Sequence, residues 1–256
     1  MGDDQVLQDD PHREVVRVGD TVRRPTYPWT PAVHALLGHL EAVGFPYSPR
    51  VRGIDARGRE VLTYLEGESG PQGWAGVVDE TGLVALARLL RRYHEAVADF
   101  RLPEGLSWCT GEDGPHAGEV VCHGDFGPWN IVWHGARPVG VLDWDHARPA
   151  PALHDVAYAL EYVAPFRDDA ECTRWLRHPE PPDRRRRLEM FATAYGLTSA
   201  DGLVDAVIEV QRETRARVLR LAERGDQPQA RWVAEGHLAA LDERIAWSRA
   251  HRDLFA

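Results

Sequence analysis

The chain has 256 residues, 43% of them hydrophobic and nine of them tryptophan, which is enough apolar material for a core in one domain or two small lobes. Its formal net charge of −10 argues against non-specific binding of nucleic acid, which needs a basic field, while an acidic surface draws small cations. No run approaches the ~18 apolar residues of a membrane span, and the opening MGDDQVLQDD is acidic where a signal peptide needs basic and then apolar residues. A cytoplasmic protein is therefore expected, with neither membrane nor nucleic acid as a partner.

In chain order, residues 1–12 carry no periodic pattern and are expected to fray. Glu14–Val18 and Thr21–Arg24 flank Gly19-Asp20, which predicts a two-residue hairpin. Thr30 is the expected N-cap of a helix with Pro31 in its first turn; Val33, Leu36, Leu37 and Leu40 give it one apolar face, and Gly44 stops it. A second hairpin is expected from Arg50–Asp55 and Glu60–Leu65 around Ala56-Arg57-Gly58-Arg59. These elements make a small α+β lobe, residues 1–66, with Glu66–Gly70 as a hinge to the remainder, 67–256. That remainder reads as mostly helical, with helices over 80–99, 153–163, 183–196, 201–223 and 229–252 and a proline-rich break at His178–Pro182. The four consecutive arginines 184–187 are expected to lie on a solvated helix face.

Residues 123–130 read HGDFGPWN, and residues 142–145 read LDWD. Between them, Ile131–Trp133, the turn cluster His134–Pro138 and the apolar run Val139–Leu142 predict a hairpin. A turn centred between Ala136 and Arg137 would pair Ile131 with Leu142 and set Asn130 opposite Asp143. An amide oxygen and a carboxylate at one point are hard ligands that suit Mg²⁺ carrying nucleotide phosphates. Asp125, five residues before Asn130, can face the same point as a base for a substrate hydroxyl.

The order of aspartate, asparagine and later aspartate matches the phosphoryl-transfer template of protein kinases. His-Gly-Asp-x-x-x-x-Asn followed by a Leu-Asp-Trp segment more closely resembles the aminoglycoside phosphotransferase and choline kinase-like family, which has His-Gly-Asp where protein kinases have His-Arg-Asp. ARLLRRYHEAV at 87–97 and ARPAPALHDVAYAL at 147–160 extend the resemblance. It implies a protein kinase-like, two-lobed α+β fold, with a small sheet-plus-helix N-terminal lobe and a mostly helical C-terminal lobe. It also implies an ATP- or GTP-dependent phosphotransferase acting on a hydroxyl of a small molecule, either aminoglycoside-like or another metabolite, cationic ones included. Asp125 would be the catalytic base, and Asn130 and Asp143 the Mg²⁺ ligands.

The nucleotide clamp departs from the family pattern. All thirty basic residues are arginine, so the strand lysine that family members place on the nucleotide phosphates is replaced, at Arg23 or Arg24. Alternation along a strand lets only one of these face the site. No glycine-rich cover is present, and the helix glutamate that would pair with the lysine falls near Val33 or His34. A catalytically silent ligand- or partner-binding protein is thus the alternative reading. His123 is expected to brace the loop carrying Asp125, and Trp129 and Trp144 to pack the hairpin. Asp145 remains open as a second metal contact, a substrate contact or a brace. Asp155 is expected to be structural and Cys122 a buried strand thiol, while Glu161, Asp168, Asp169 and Glu171 are expected on a solvated face. Cys109, Cys122 and Cys172 lack metal-type spacing, and no histidine pair has zinc-ligand spacing.

Overall fold

The computed structural model describes residues 4–9, 13–112 and 114–256. Five short strands, β1 (Gln5–Gln8), β2 (Val15–Val18), β3 (Thr21–Arg24), β4 (Val51–Ile54) and β5 (Glu60–Thr63), form one antiparallel sheet in the order β1-β2-β3-β5-β4. Two hairpins supply four of these strands, and β1 is an addition to them. It pairs with β2 through a bulge between Val6 and Gln8, and all four of its residues are exposed. With no buried face it carries no alternation, so the expected fraying of residues 4–9 gives way to a strand that pattern could not reveal. In the β4–β5 turn, the Asp55 carboxylate accepts from the backbone N–H groups of Arg57 and Arg59 at 2.9 and 3.0 Å.

Helix α1 (Thr30–Ala42) buries Val33, Leu36, Leu37 and Leu40. Each fully buried leucine stabilises the fold by about 1.5–3 kcal/mol. Thr30 lies inside the helix, and Trp29 occupies the N-cap without a side-chain cap. The Thr30 hydroxyl instead accepts the Tyr27 N–H at 2.8 Å, ordering the approach to the helix. The far end closes with paired bonds from Phe45 N–H to the Leu40 carbonyl and from Gly44 N–H to the Glu41 carbonyl, the Schellman arrangement. The Glu66–Gly70 segment, expected as a hinge, is tied to Trp133 by two backbone bonds between Glu68 and Trp133, at 2.8 and 2.9 Å.

Two compact units make up the molecule. One comprises Met1–Gly73, Arg92–Asp125 and Trp129–Ala152; the other comprises Trp74–Arg91, Phe126–Pro128 and Leu153–Ala256. The first holds the sheet and α1. It also holds the short pair β6 (Val120–Cys122) with β9 (Arg148–Ala150), and the hairpin β7 (Ile131–His134) with β8 (Arg137–Val141). Short helix α2 (Gly73–Val78) and helix α3 (Glu80–Ala96) run along the chain across the two. The second unit is helical: α4 (Leu153–Val163), α5 (Asp169–Arg174), α6 (Arg184–Tyr195), α7 (Leu203–Glu223), α8 (Gln229–Ala234) and α9 (His237–Ala250). Its core gathers Val156, Ala157 and Leu160 of α4, Leu188 and Phe191 of α6, and Val207 and Ile208 of α7. The single helix expected over 229–252 is two, broken at Gly236, whose φ of 88° belongs to no right-handed helix. No described helix is long and apolar enough to cross a membrane.

The arginine run is solvated only in part: Arg185 and Arg186 are exposed as expected, whereas Arg184 and Arg187 correct the expectation of a solvated face. Arg184 and Arg187, three residues apart on α6, are both buried. Arg184 donates to the carbonyls of Pro165 and Arg167 at 2.9 and 2.7 Å and to Asp169 at 2.8 Å. Arg187 donates to the Val163 carbonyl at 2.6 Å, the Val78 carbonyl at 3.1 Å and the Val77 carbonyl. Val77 and Val78 end α2, where carbonyls have no partner within the helix and a cation is favoured. Arg187→Ala is therefore expected to cost about 3–5 kcal/mol in urea unfolding, because buried acceptors lose their donors. The exposed Arg185→Ala should cost under about 0.5 kcal/mol. Equal losses for the two variants would contradict this assignment.

Burial, reinforced by Arg187 and Arg184, pushes the His178 imidazole down to about 4. A base whose folded pKa lies below its unfolded value contributes stability above the unfolded value, near 6.5, and loses it as pH falls toward 4. The loss is at most about 3 kcal/mol, and nearer 2 once solvent screening is allowed for. Urea unfolding at pH 7.5 and pH 4.5 should show this component in the parent chain and lack it in His178→Gln. The same pH dependence in both would rule it out.

Candidate active site

The hairpin forms with a register one residue from the expected one. Its turn is Gly135-Ala136, with His134 opposite Arg137 and Trp133 opposite Pro138; Val139 is then skipped, so that Val132 faces Gly140 and Ile131 faces Val141. A bulge beside a proline is physically reasonable, since Pro138 has no N–H to give the ladder. The Asn130 carbonyl accepts the Leu142 N–H at 2.7 Å, so Asn130 stands opposite Leu142. Asp143 follows one residue beyond, in left-handed backbone at φ 57° and ψ 69°. Aspartate tolerates that region better than most residues, and such strain clusters at functional sites.

The loop before the hairpin is fixed from several sides. His123 Nε2 donates to the Leu142 carbonyl at 2.9 Å, and its Nδ1 accepts the Asp125 N–H at 3.3 Å, which assigns the ring proton to Nε2. The ring also meets Trp144 edge-on at 4.8 Å. Trp144 is buried, donates to the Val141 carbonyl at 3.1 Å and makes a second edge contact with Tyr93. His123 and Trp144 are braces, as expected from the sequence. Gly124, at φ 76°, has no room for a side chain, because a Cβ would lie 2.1 Å from the His146 carbonyl oxygen. The loop is thus pressed against the turn that carries Asp143 and Asp145.

Asn130 donates through Nδ2 to the Asp125 carboxylate at 2.7 Å and to the Asp125 carbonyl at 2.9 Å. Both amide donors are committed, which fixes the amide orientation and presents Oδ1 as an acceptor. The same Asp125 oxygen receives Trp129 Nε1 at 3.5 Å.

Arg24 and Arg23 separate as strand alternation requires. Arg23 donates to Thr21 and lies 3.8 Å from Asp55. Arg24 meets three carboxylates: its Nε lies 2.6 Å from Glu60, its Nη1 is 3.7 Å from Asp143, and its Nη2 bonds Asp145. Asp145 also accepts from Trp29 Nε1 at 3.1 Å, and the Trp29 ring is stacked on Tyr27 at 4.9 Å. These bonds are those of a brace, one of the three roles the sequence leaves open for Asp145.

One guanidinium facing three carboxylates leaves a formal excess of two negative charges, the complement of a divalent cation. The pKa directions follow from this crowding. Burial works against the charge of Arg24, but Asp145, Asp143 and Glu60 outweigh it and hold the guanidinium above its ordinary range. Burial also works against ionised Asp143, yet Arg24 and its other neighbours keep that carboxyl below the usual range. At Asp145, burial with the charges of Asp143 and Glu60 prevails over Arg24 and lifts the carboxyl to about 6. The residues fit a hard divalent cation: Asp143 is held ionised, Asn130 presents an oxygen, and the net charge is of the right sign.

Sequence reasoning missed Glu60 and Trp29. Glu60 is the direct cross-strand partner of Arg24, but β3 and β5 are separated in the chain by α1 and β4, so reading hairpin by hairpin never pairs them. A glutamate opening the apolar run Val61-Leu62 was the available signal.

The chain is similar to known proteins in family and in fold. The model of the phosphotransferase enzyme family matches residues 106–191. The trifolitoxin immunity protein of Rhizobium leguminosarum bv. trifolii is 35% identical over 215 residues, covering 81% of this chain and 80% of its own. Among solved structures, the GDP complex of aminoglycoside 2'-phosphotransferase-IIIa is similar with a TM-score of 0.64 at 15% identity, over 96% of this chain and 93% of its own. A choline/ethanolamine kinase family protein from Mesorhizobium loti gives 0.61 at 16% identity, over 97% and 93%. An amicoumacin kinase complexed with AMP-PNP and Ca²⁺ gives 0.60 at 12% identity, over 97% and 88%. The fold is protein kinase-like, with a small antiparallel sheet in the N-terminal part and helices in the C-terminal part. The chain belongs to the phosphotransferase enzyme family, alongside the aminoglycoside phosphotransferases.

Proposed function

We propose that the protein transfers the terminal phosphoryl group of ATP or GTP to a hydroxyl of a small molecule. In this reading residues 1–66 hold the nucleotide and residues 67–256 carry the acceptor side, and the protein acts in the cytoplasm. The Asp125 carboxylate orients the acceptor hydroxyl and takes its proton as the oxygen attacks the terminal phosphorus in line, while the bond from that phosphorus to the bridging oxygen breaks and its electron pair leaves with the nucleoside diphosphate. Asn130 and Asp143 hold Mg²⁺, which supplies charge neutralisation on the nucleotide phosphates when bound. Arg24 turns its terminal nitrogens to phosphate oxygens, which a guanidinium can hold bidentately; Arg23, paired with Asp55, has no part in this. The observation that carries the reading is the fixing of Asn130, whose two donors are committed to Asp125 and whose oxygen remains to face a cation. The similarity to an immunity protein supports an antimicrobial compound as the acceptor, and the acidic balance favours a cationic one.

A second reading, a catalytically silent binder, has one observation in its favour: the Arg24 terminal nitrogens are engaged by Asp145 and lie near Asp143. Incubating the protein with ATP or GTP, Mg²⁺ and a panel of aminoglycosides and other hydroxylated antimicrobials, followed by mass spectrometry, separates the two. A gain of one phosphoryl group on an acceptor is expected. Retained binding of a panel compound with no product from either nucleotide would favour the silent binder.

A further inference from the structure

We propose that Glu60 is the positioning residue for Arg24, and that it does from strand β5, with His34 behind it, what the family pattern assigns to a helix glutamate. This rests on the nucleotide-binding reading of Arg24. Glu60 is almost completely buried, with 2% of its side chain exposed. A buried carboxylate is costly unless it is paired and its oxygens are satisfied. Both of its oxygens are engaged: Oε1 lies 2.6 Å from Arg24 Nε, and Oε2 lies 2.9 Å from His34 Nε2 on α1.

The pairing uses the inner nitrogen of the guanidinium. Cross-strand register sets Arg24 directly opposite Glu60, so the two backbones fix the separation. With Nε held, the planar fork cannot rotate freely, and both terminal nitrogens turn toward the segment carrying Asp143 and Asp145. Those nitrogens would pass to the nucleotide phosphates while Nε stays with Glu60. Helix α1 contributes no acid here; its residue at this point is His34, which orients the glutamate and leaves the arginine to it.

A role exercised through Arg24 has a signature that a merely structural role lacks. The dissociation constant for ATP with Mg²⁺ is measured by titration calorimetry for the parent chain, Glu60→Gln, Arg24→Met and the double variant, with thermal melts to check folding. Glu60→Gln should weaken binding about tenfold, as loss of a charge-assisted hydrogen bond does. The double variant should bind no more weakly than Arg24→Met alone, because Glu60 then has nothing to position. His34→Ala, which leaves both charges in place, should weaken binding about two- to threefold and carries the test if Glu60→Gln does not fold. Additive losses, or parent-like affinity in either variant, would overturn the inference while leaving the proposed function standing. Absence of ATP binding by the parent chain would overturn both.

Discussion

Asp125→Asn lowers the turnover number by a factor on the order of 10³ and leaves nucleotide affinity and melting temperature close to those of the parent chain. Asparagine matches aspartate in shape and keeps an oxygen able to accept from Asn130 Nδ2 and Trp129 Nε1, so the loop that these bonds hold should persist. The backbone contacts do not depend on the side chain either: the Asp125 N–H still reaches His123 Nδ1, and the carbonyl still accepts from Asn130. What is removed is the capacity to take a proton from the acceptor hydroxyl. Steady-state kinetics with parallel nucleotide titrations makes the check, and unchanged turnover would end the assignment of Asp125 as base.

Asp143→Asn has the second large effect. The cluster around Arg24 carries a formal excess of two negative charges, and this substitution removes one of them, together with a fully charged oxygen of the proposed ligand set. Mg²⁺-dependent nucleotide binding should fall by at least the roughly hundredfold that loss of an outer partner of a metal ligand can cost. The variant carries an internal control. The charge of Asp143 helps raise the Asp145 carboxyl to about 6, so removing it should lower that value toward the ordinary carboxylate range. Carbon-detected NMR titration of the carboxylates reads that shift. Nucleotide binding that keeps its metal dependence in Asp143→Asn would remove this residue from the proposed ligand set.

The features legible in the sequence are those that local chain order encodes. HGDFGPWN and LDWD bring chemistry-bearing residues together through one loop and one hairpin, and both close as short-range structure. The apolar stripe of α1 appears at helical spacing, and α1, α4 and α7 form over nearly the expected residues. The hairpin register differs from the expected one because the turn falls one residue earlier, at Gly135-Ala136, which shifts the pairs beside it by two; the bulge at Val139 returns the site end to within one residue, and neither feature leaves a clear compositional mark. Strand β1 was invisible because it buries nothing.

Partnerships across the chain were the least legible. Glu60 meets Arg24 only because β5 inserts beside β3, and the helix position near Val33 or His34, where the family pattern has a glutamate, holds instead the histidine that bonds Glu60. The arginines of α6 failed the expectation for another reason. A run of four charges is ordinarily solvated, but Arg184 and Arg187 answer unpaired carbonyls at Val77, Val78, Val163, Pro165 and Arg167, and backbone acceptors have no letter in a sequence. The same limit applies to the residues around Arg24: the absence of lysine was plain, whereas the Arg24–Glu60–His34 arrangement required the sheet.

The central claim is that the Asp143, Asn130 and Arg24 cluster holds a nucleotide through a divalent cation. Calorimetric titration of the parent chain with ATP and with GTP, each with and without Mg²⁺, tests it most directly. Saturable binding of at least one nucleotide that depends on Mg²⁺ is expected, and it should be lost in Asp143→Asn. No binding of either nucleotide at millimolar concentration, or binding indifferent to the metal, would contradict the account.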